Sequence, residues 1–175
     1  MEKGFLQFYI GDGKGKTTAA IGQIVRAHGS GLRCAVYQFL KVVPSGEMES
    51  LKALGIPVER ARTQDSRFFF QMDAAEKGVY LTQQRALYTQ AVRAIHSGEY
   101  DVVALDEILD LLELGGIDRD ALRMALISRP PQVEVLLTGR NLPRELTDIA
   151  GYITETHSVK HPYQDGVAAR QGIEF

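Results

Sequence analysis

Short apolar runs alternate along the chain with longer segments in which apolar residues recur every three or four positions. The runs are rich in β-branched and aromatic residues and predict buried strands at residues 5–10, 34–39, 100–105 and 133–138. The longer segments have the spacing of amphipathic helices and lie at residues 16–29, 74–97 and 118–127. Shorter segments predict helices at residues 46–54 and 143–149 and extended pieces at residues 56–58 and 152–155.

Most of the predicted strands are apolar on both faces, and helices separate them along the chain. This pattern predicts an α/β fold with a mainly parallel sheet and helices on both faces. With 175 residues and no repeat or linker, residues 1–175 are expected to form a single domain. Residues 60–73 show no clear period and are expected to form an irregular loop. Residues 156–175 form a polar tail that is expected to pack on or near the active site.

Composition narrows the class of partner. The formal net charge of −2 does not match that of a dedicated nucleic-acid binder. The chain shows no signal peptide and no apolar run near the roughly 18 residues that span a bilayer. Cys34 is the only cysteine and falls in a predicted buried strand, and the four histidines do not suggest a zinc site. We therefore expect a cytoplasmic protein with small-molecule ligands and neither nucleic-acid nor membrane partners.

A glycine-rich turn joins the first predicted strand to the first predicted helix. Backbone amides of such a turn bind phosphate, the lysine neutralises its charge, and the following hydroxyl can ligate Mg²⁺. The common pattern Gly-x4-Gly-Lys-[Ser/Thr] would place its first glycine at position 10, which is Ile10, so the loop is one residue short. The dinucleotide pattern Gly-x-Gly-x-x-Gly is excluded because its third glycine would fall at Lys16. The turn predicts an ATP-Mg site in a P-loop NTPase (RecA-like) architecture, formed by Gly11, Asp12, Gly13, Lys14, Gly15, Lys16, Thr17 and Thr18.

A second nucleotide-binding element follows the strand at residues 100–105, which ends in Asp106 and Glu107. A buried strand that delivers a carboxylate beside a phosphate loop supplies the oxygen ligands that Mg²⁺ prefers. Adjacent residues point in different directions, so the pattern leaves open which of the two carboxylates is the ligand.

These motifs resemble those of the P-loop ATP:corrinoid adenosyltransferases. The resemblance rests on the short loop and on Gln38-Phe39-x-Lys41, Leu105-Asp106-Glu107, Thr138-Gly139-Arg140, residues 159–163, Gly166-Val167-x-Ala169 and Gly172-Ile173-Glu174. It implies transfer of the 5′-deoxyadenosyl group of ATP to Co(I) of a corrinoid, with release of triphosphate, in adenosylcobalamin biosynthesis or salvage. It also implies a homodimer and an electron-donating reductase as partner.

The resemblance also implies roles for individual residues. Lys16 would neutralise charge on the triphosphate, and Thr17 would ligate Mg²⁺ together with Glu107. Asp106 would be either a second ligand or a group that orients the others. Arg140, and Arg26 on the helix after the loop, are candidate phosphate contacts, for which the alternative is a solvated or ion-paired surface position.

The chain departs from the family pattern at the corrinoid site. It has no tryptophan, and in place of the family's Gly-Phe-Thr-Trp segment it offers Phe68, Phe69 and Phe70. These would face the corrinoid, with Lys160 and His161 of the tail, or they would only fill the core. Two other functions remain open: an ordinary P-loop small-molecule kinase or ATPase, and a non-enzymatic nucleotide or corrinoid sensor.

Overall fold

The computed structural model describes residues 2–61 and 67–174. Within them the strands are β1 (Leu6–Gly11), β2 (Cys34–Gln38), β3 (Val58–Arg60), β4 (Val102–Asp106), β5 (Glu134–Thr138) and β6 (Tyr152–Thr156). The α-helices are α1 (Lys16–Gly29), α2 (Gly46–Ala53), α3 (Ala74–His96), α4 (Ile108–Glu113), α5 (Arg119–Ile127) and α6 (Arg144–Thr147). Two short 3-10 helices lie at Phe69–Gln71 and Pro162–Asp165.

The strands form one sheet in the order β3-β2-β4-β5-β1-β6, and every neighbouring pair is parallel. The predicted α/β class with a parallel sheet is therefore confirmed. Because all strands run the same way, their carboxyl ends lie along one edge of the sheet. That edge brings the loop after β1, the end of β4 and the end of β2 to the same side of the molecule.

Two apolar cores cover the two faces of the sheet. The larger contains side chains of α3, α4 and α5 with those of the central strands. The smaller contains Ala20, Ile24 and Ala27 of α1 together with Leu51 of α2. This two-sided cover is why β2, β4 and β5 are buried along their whole length. The outer strand β6 differs, since four of its five residues are exposed.

Several sequence-based boundaries needed correction. Strand β3 begins at Val58, not at residue 56, because Ile56 and Pro57 form an irregular link between the turn at Leu54 and Gly55 and the strand. Helix α4 was not predicted, since its six residues follow β4 almost directly and are too few to show a helical period. In the loop predicted at residues 60–73, a 3-10 turn forms at Phe69–Gln71, while residues 62–66 lie outside the described part of the chain. Among residues 2–61 and 67–174, none of the helices combines the length and the apolar character that a membrane span requires.

Candidate active site

The phosphate loop connects the carboxyl end of β1 to the first residue of α1. Gly11 has a φ angle of 108° and Gly15 one of 114°. Only glycine adopts such angles without strain. Gly15 is the N-cap of α1 and no side chain caps this helix, so its first amides remain directed at the loop. The positive end of a 14-residue helix therefore faces the concave side of the loop, as an anion site requires.

The carboxyl end of β6 and the residue that follows it pack directly on this loop. The Gly13 amide donates to the Thr156 carbonyl at 3.0 Å, and the Thr156 hydroxyl donates to the Gly13 carbonyl at 3.1 Å. A Cβ atom at Gly11 would lie 2.1 Å from the Thr156 carbonyl oxygen, and one at Gly13 would lie 2.8 Å from the carbonyl carbon of His157. The extra glycine of the short loop, Gly13, thus makes room for the backbone of Thr156 and His157.

The charged side chains of the loop already have partners in the protein. Lys16 Nζ donates to the Gly13 carbonyl at 2.8 Å, which folds the lysine over the loop. Burial lowers the pKa of Lys16, and Arg140 lowers it further, against the opposing effect of nearby carboxylates. Lys14 Nζ lies 3.3 Å from Glu174 Oε1 in an exposed ion pair. The Ser158 amide donates to Asp12 Oδ1 at 3.2 Å, and Thr18 is exposed.

Asp106 is the centre of the hydrogen-bond network beneath the loop, and it is only 1% exposed. Its Oδ1 accepts from the Thr17 hydroxyl at 2.8 Å and from the Thr138 hydroxyl at 2.7 Å. Its Oδ2 accepts from Gln38 Nε2 at 3.2 Å and lies 3.7 Å from Lys41 Nζ. Both oxygens are therefore used to hold neighbouring side chains.

Glu107 differs from Asp106 in backbone and in partners. It has a φ of 62°, and the only other non-glycine residue with positive φ in the described chain is Leu40 at 58°. Both strained positions lie at one hydrogen bond, since Lys41, which follows Leu40, donates from Nζ to Glu107 Oε1 at 2.6 Å. No described residue donates a hydrogen bond to Oε2 of Glu107. Burial raises the pKa of Glu107. Burial alone would lower the pKa of Lys41, but the negative charges of Asp106 and Glu107 outweigh it, so the pKa of Lys41 is raised.

The donor set fits a magnesium ion. Thr17 gives its hydroxyl hydrogen to Asp106, which leaves the oxygen lone pairs free to ligate a metal. Glu107 Oε2 adds a carboxylate oxygen, and oxygen ligands are those that Mg²⁺ prefers. No group of three or more His, Cys, Asp or Glu side chains within residues 2–61 and 67–174 could hold a metal ion. Such a site would therefore draw its remaining ligands from nucleotide phosphates and water, as Mg²⁺ sites commonly do.

The two candidate arginines lie in different places. The Arg140 carbonyl accepts from the Gly11 amide at 2.9 Å and its own amide donates to Asp110 Oδ1 at 3.1 Å, so Arg140 borders the loop. Arg26 is exposed and lies ten residues beyond Lys16 on α1. The rise of an α-helix makes that separation about 15 Å along the axis. The structure does not bring Arg26 to the phosphate loop. Of the two alternatives, a phosphate contact and a surface position, the surface position is the one observed.

The three phenylalanines do not fill the core. Phe68 and Phe70 are 52% and 77% exposed, and their rings stack with centroids 5.6 Å apart and an interplanar angle of 4°. Phe69 is partly buried and packs on Tyr80 with centroids 5.9 Å apart. The core-filling alternative is therefore wrong for Phe68 and Phe70.

The two tail residues that were assigned to the corrinoid lie on the surface. Lys160 is exposed, and His161 caps the 3-10 helix Pro162–Asp165 by accepting from the Tyr163 amide at 3.1 Å. His157 precedes this helix in an irregular segment, so the two histidines do not share a helix.

The sequence did not reveal the residues that surround Asp106. Gln38, Lys41 and Thr138 belong to the family motifs but the motifs give them no role, and Arg60 falls in a segment that the sequence predicts to be an irregular loop. The signal that could have found them is position, because polar residues at the ends of neighbouring parallel strands meet at one sheet edge.

Comparison with known proteins identifies the family of the chain. The family model for ATP:corrinoid adenosyltransferase BtuR/CobO/CobP matches residues 2–175. The chain is 32% identical to the corrinoid adenosyltransferase of Escherichia coli K12 over 175 residues, covering 99% of this chain and 87% of the relative. It is 33% identical over 176 residues to a corrinoid adenosyltransferase of Sinorhizobium sp, covering 99% and 81%. It is 31% identical over 175 residues to corrinoid adenosyltransferase CobA of Salmonella typhimurium LT2, covering 99% and 87%. The chain therefore belongs to the ATP:corrinoid adenosyltransferase family.

Proposed function

We propose that this protein transfers the 5′-deoxyadenosyl group of ATP to the cobalt of a reduced corrinoid and releases triphosphate, in adenosylcobalamin biosynthesis or salvage. The observation that carries the proposal is a shortened phosphate loop joined through Thr17 to Asp106, in a chain that matches this family over its whole length. Co(I) supplies the electron pair of the new Co–C5′ bond, and the C5′–O bond breaks with its electrons going to the triphosphate.

This chemistry assigns binding and electrostatic roles to the protein. The cobalt nucleophile has no proton to lose, so no side chain is needed as a general base. Negative charge grows on the oxygen that leaves C5′, and Lys16 with the loop amides from Gly11 to Gly15 would stabilise it. The same groups hold the leaving group in line with the attacking atom. Arg140 borders the loop and would add a further positive charge, whereas Arg26 is too remote to contribute.

Mg²⁺, held by Thr17 and Glu107, would neutralise charge on the triphosphate when bound. Asp106 fits the role of an orienting group better than that of a ligand, since protein donors occupy both of its oxygens. Its Oδ1 fixes the direction of the Thr17 hydroxyl. Lys41 holds Glu107 Oε1 and would balance the charge of the two adjacent carboxylates before a divalent cation binds.

The corrinoid would lie against Phe68 and Phe70. A stacked and exposed aromatic pair in an otherwise polar segment is a surface suited to the flat face of a macrocycle. Phe69 would hold this segment to α3 through Tyr80. The resemblance adds Lys160 and His161 of the tail, a homodimeric assembly and an electron-donating reductase to the proposal.

An ordinary P-loop kinase or ATPase would also use a contact such as that between Thr17 and Asp106, so the products must decide. The protein is incubated with ATP, Mg²⁺ and a chemically reduced corrinoid, and the nucleotide products and the cobalt spectrum are followed together. Adenosyl transfer yields triphosphate and an adenosylated cobalt spectrum in equal amounts. Stoichiometric ADP would identify a kinase or ATPase, and binding of both ligands without a Co–C bond would identify a sensor.

A further inference from the structure

Gln38 joins an arginine to the carboxylate network of the active site. It is the last residue of β2, it is 1% exposed, and its neighbour across the sheet is Asp106 of β4. Its Nε2 donates to Asp106 Oδ2 at 3.2 Å and to Glu47 Oε1 at 2.9 Å. Its Oε1 accepts from Arg60 Nε at 2.9 Å and from Arg60 Nη2 at 2.6 Å.

The chemistry of these partners permits a single orientation of the amide. Arg60 carries only donors, whereas ionised Asp106 and Glu47 carry only acceptors. If the amide turned over, its oxygen would face two carboxylates and its NH₂ group would face a guanidinium. Every contact of the buried side chain would then be repulsive, so Arg60 acts together with the two carboxylates to keep the donors of Gln38 directed at Asp106.

The same arginine also binds the segment at residues 43–45. Arg60 Nη1 donates to the Val43 carbonyl at 2.8 Å, and Nη2 donates to the Ser45 hydroxyl at 2.5 Å. The Ser45 hydroxyl in turn donates to Glu47 Oε1 at 2.7 Å. The guanidinium is therefore bound on all sides and cannot turn without breaking several hydrogen bonds.

We propose that Arg60 is a positioning residue of the active site, acting through Gln38 and Asp106 on the hydroxyl of Thr17. Gln38 fixes Asp106 Oδ2, which orients the carboxylate so that Oδ1 accepts the Thr17 hydrogen at 2.8 Å. Only with that hydrogen turned away does the Thr17 oxygen direct its lone pairs at a metal ion. Metal-ligating groups commonly depend on such outer partners for their orientation.

The inference rests on the proposed ATP-Mg site, so its test uses metal binding without turnover. Mn²⁺ replaces Mg²⁺, and its affinity for the protein with saturating ATP and no corrinoid is measured by electron paramagnetic resonance. Arg60→Met should weaken Mn²⁺ binding about tenfold, the effect of losing roughly 1.4 kcal/mol of hydrogen-bond orientation. Arg60→Lys keeps the charge but has fewer hydrogen-bond donors, so its Mn²⁺ affinity should lie between those of the unmodified protein and Arg60→Met. If Arg60→Met does not fold, Arg60→Lys replaces it in the test.

A double-mutant cycle distinguishes the proposed relay, in which Arg60 acts through Gln38 and Asp106 on Thr17, from a general loss of structure. Thr17→Ala removes the ligand itself, so adding Arg60→Met to it should weaken Mn²⁺ binding by less than about twofold more. Additive effects would overturn the relay, because they would show that Arg60 acts without Thr17. Unchanged binding in Arg60→Met, with weakened binding in Thr17→Ala, would overturn it while leaving the metal site intact. Unchanged Mn²⁺ binding in Thr17→Ala would overturn both the relay and the assignment of Thr17 as a metal ligand.

Arg33 provides the matched control. It forms a paired contact with Asp101 at the opposite ends of β2 and β4, with Arg33 Nη2 2.9 Å from Asp101 Oδ1. Arg33→Met therefore removes an arginine that also links neighbouring strands of the sheet, but at the edge away from the metal site. It should leave Mn²⁺ affinity unchanged, and an equal loss in Arg33→Met and Arg60→Met would mean that strand pairing, not positioning, accounts for the effect.

Discussion

Thr138 offers a direct measure of how much the Asp106 network contributes to stability. Its side chain is buried, donates to Asp106 Oδ1 at 2.7 Å and accepts from the Glu107 amide at 2.8 Å. Valine has nearly the same shape and no hydroxyl, so Thr138→Val removes both hydrogen bonds without opening a cavity. The amide that loses its acceptor belongs to a residue with a φ of 62°. The backbone is already strained there.

The expected loss follows from these two contacts. An amide left without an acceptor in a buried site costs about 1–3 kcal/mol, and the lost hydrogen bond to the ionised Asp106 costs about 1 kcal/mol more, since Thr17 still donates to the same oxygen. We therefore expect Thr138→Val to lower the free energy of unfolding by about 2–4 kcal/mol. Thr138→Ser keeps the hydroxyl and loses one methyl group, which costs about 1 kcal/mol.

Urea denaturation followed by circular dichroism measures both variants, with equal m-values as the check that the denatured states are comparable. We expect valine to lower the free energy of unfolding by at least about 1 kcal/mol more than serine does, although valine is the closer match in volume. Equal losses, or a more stable valine variant, would refute it, because the hydroxyl would then contribute nothing to the network.

Other predictions concern the loop, the aromatic pair and the buried thiol. Lys16→Ala should reduce adenosyl transfer by at least about 100-fold, since charge on the leaving triphosphate would go unneutralised, and the rate of formation of the cobalt–carbon spectrum measures it. Phe68→Ala and Phe70→Ala should each change the free energy of unfolding by less than about 0.5 kcal/mol and spare ATP affinity, whereas Phe69→Ala should be the more destabilising change; a collapse of ATP affinity in the first two would contradict their assignment to the corrinoid. Burial raises the pKa of Cys34 to about 11. The thiol therefore stays protonated at neutral pH and should react with a disulfide reagent only when denaturant is added. Rapid reaction of the native protein would show that the Cys34 side chain is accessible to solvent.

Local pattern was enough to predict the fold class and the phosphate loop. Strands buried on both faces show themselves as continuous apolar runs, and Lys16 and Thr17 follow one of them after a short glycine-rich turn. Asp106 and Glu107 could be predicted as candidate metal-site carboxylates for the same reason, because they end another central strand. Even the remoteness of Arg26 was contained in the sequence, since ten helical residues separate it from Lys16 by about 15 Å.

Only the tertiary structure decided what surrounds these residues. The strand order β3-β2-β4-β5-β1-β6 places Gln38 beside Asp106, and Arg60 beside Gln38, although 68 residues separate the first pair and 22 the second. The role of Gly13 likewise depends on the tail that packs against it. No local pattern encodes such contacts, because they depend on which strands become neighbours. The sequence by itself determined the groups that would bind phosphate, and the sheet determined which side chains orient them.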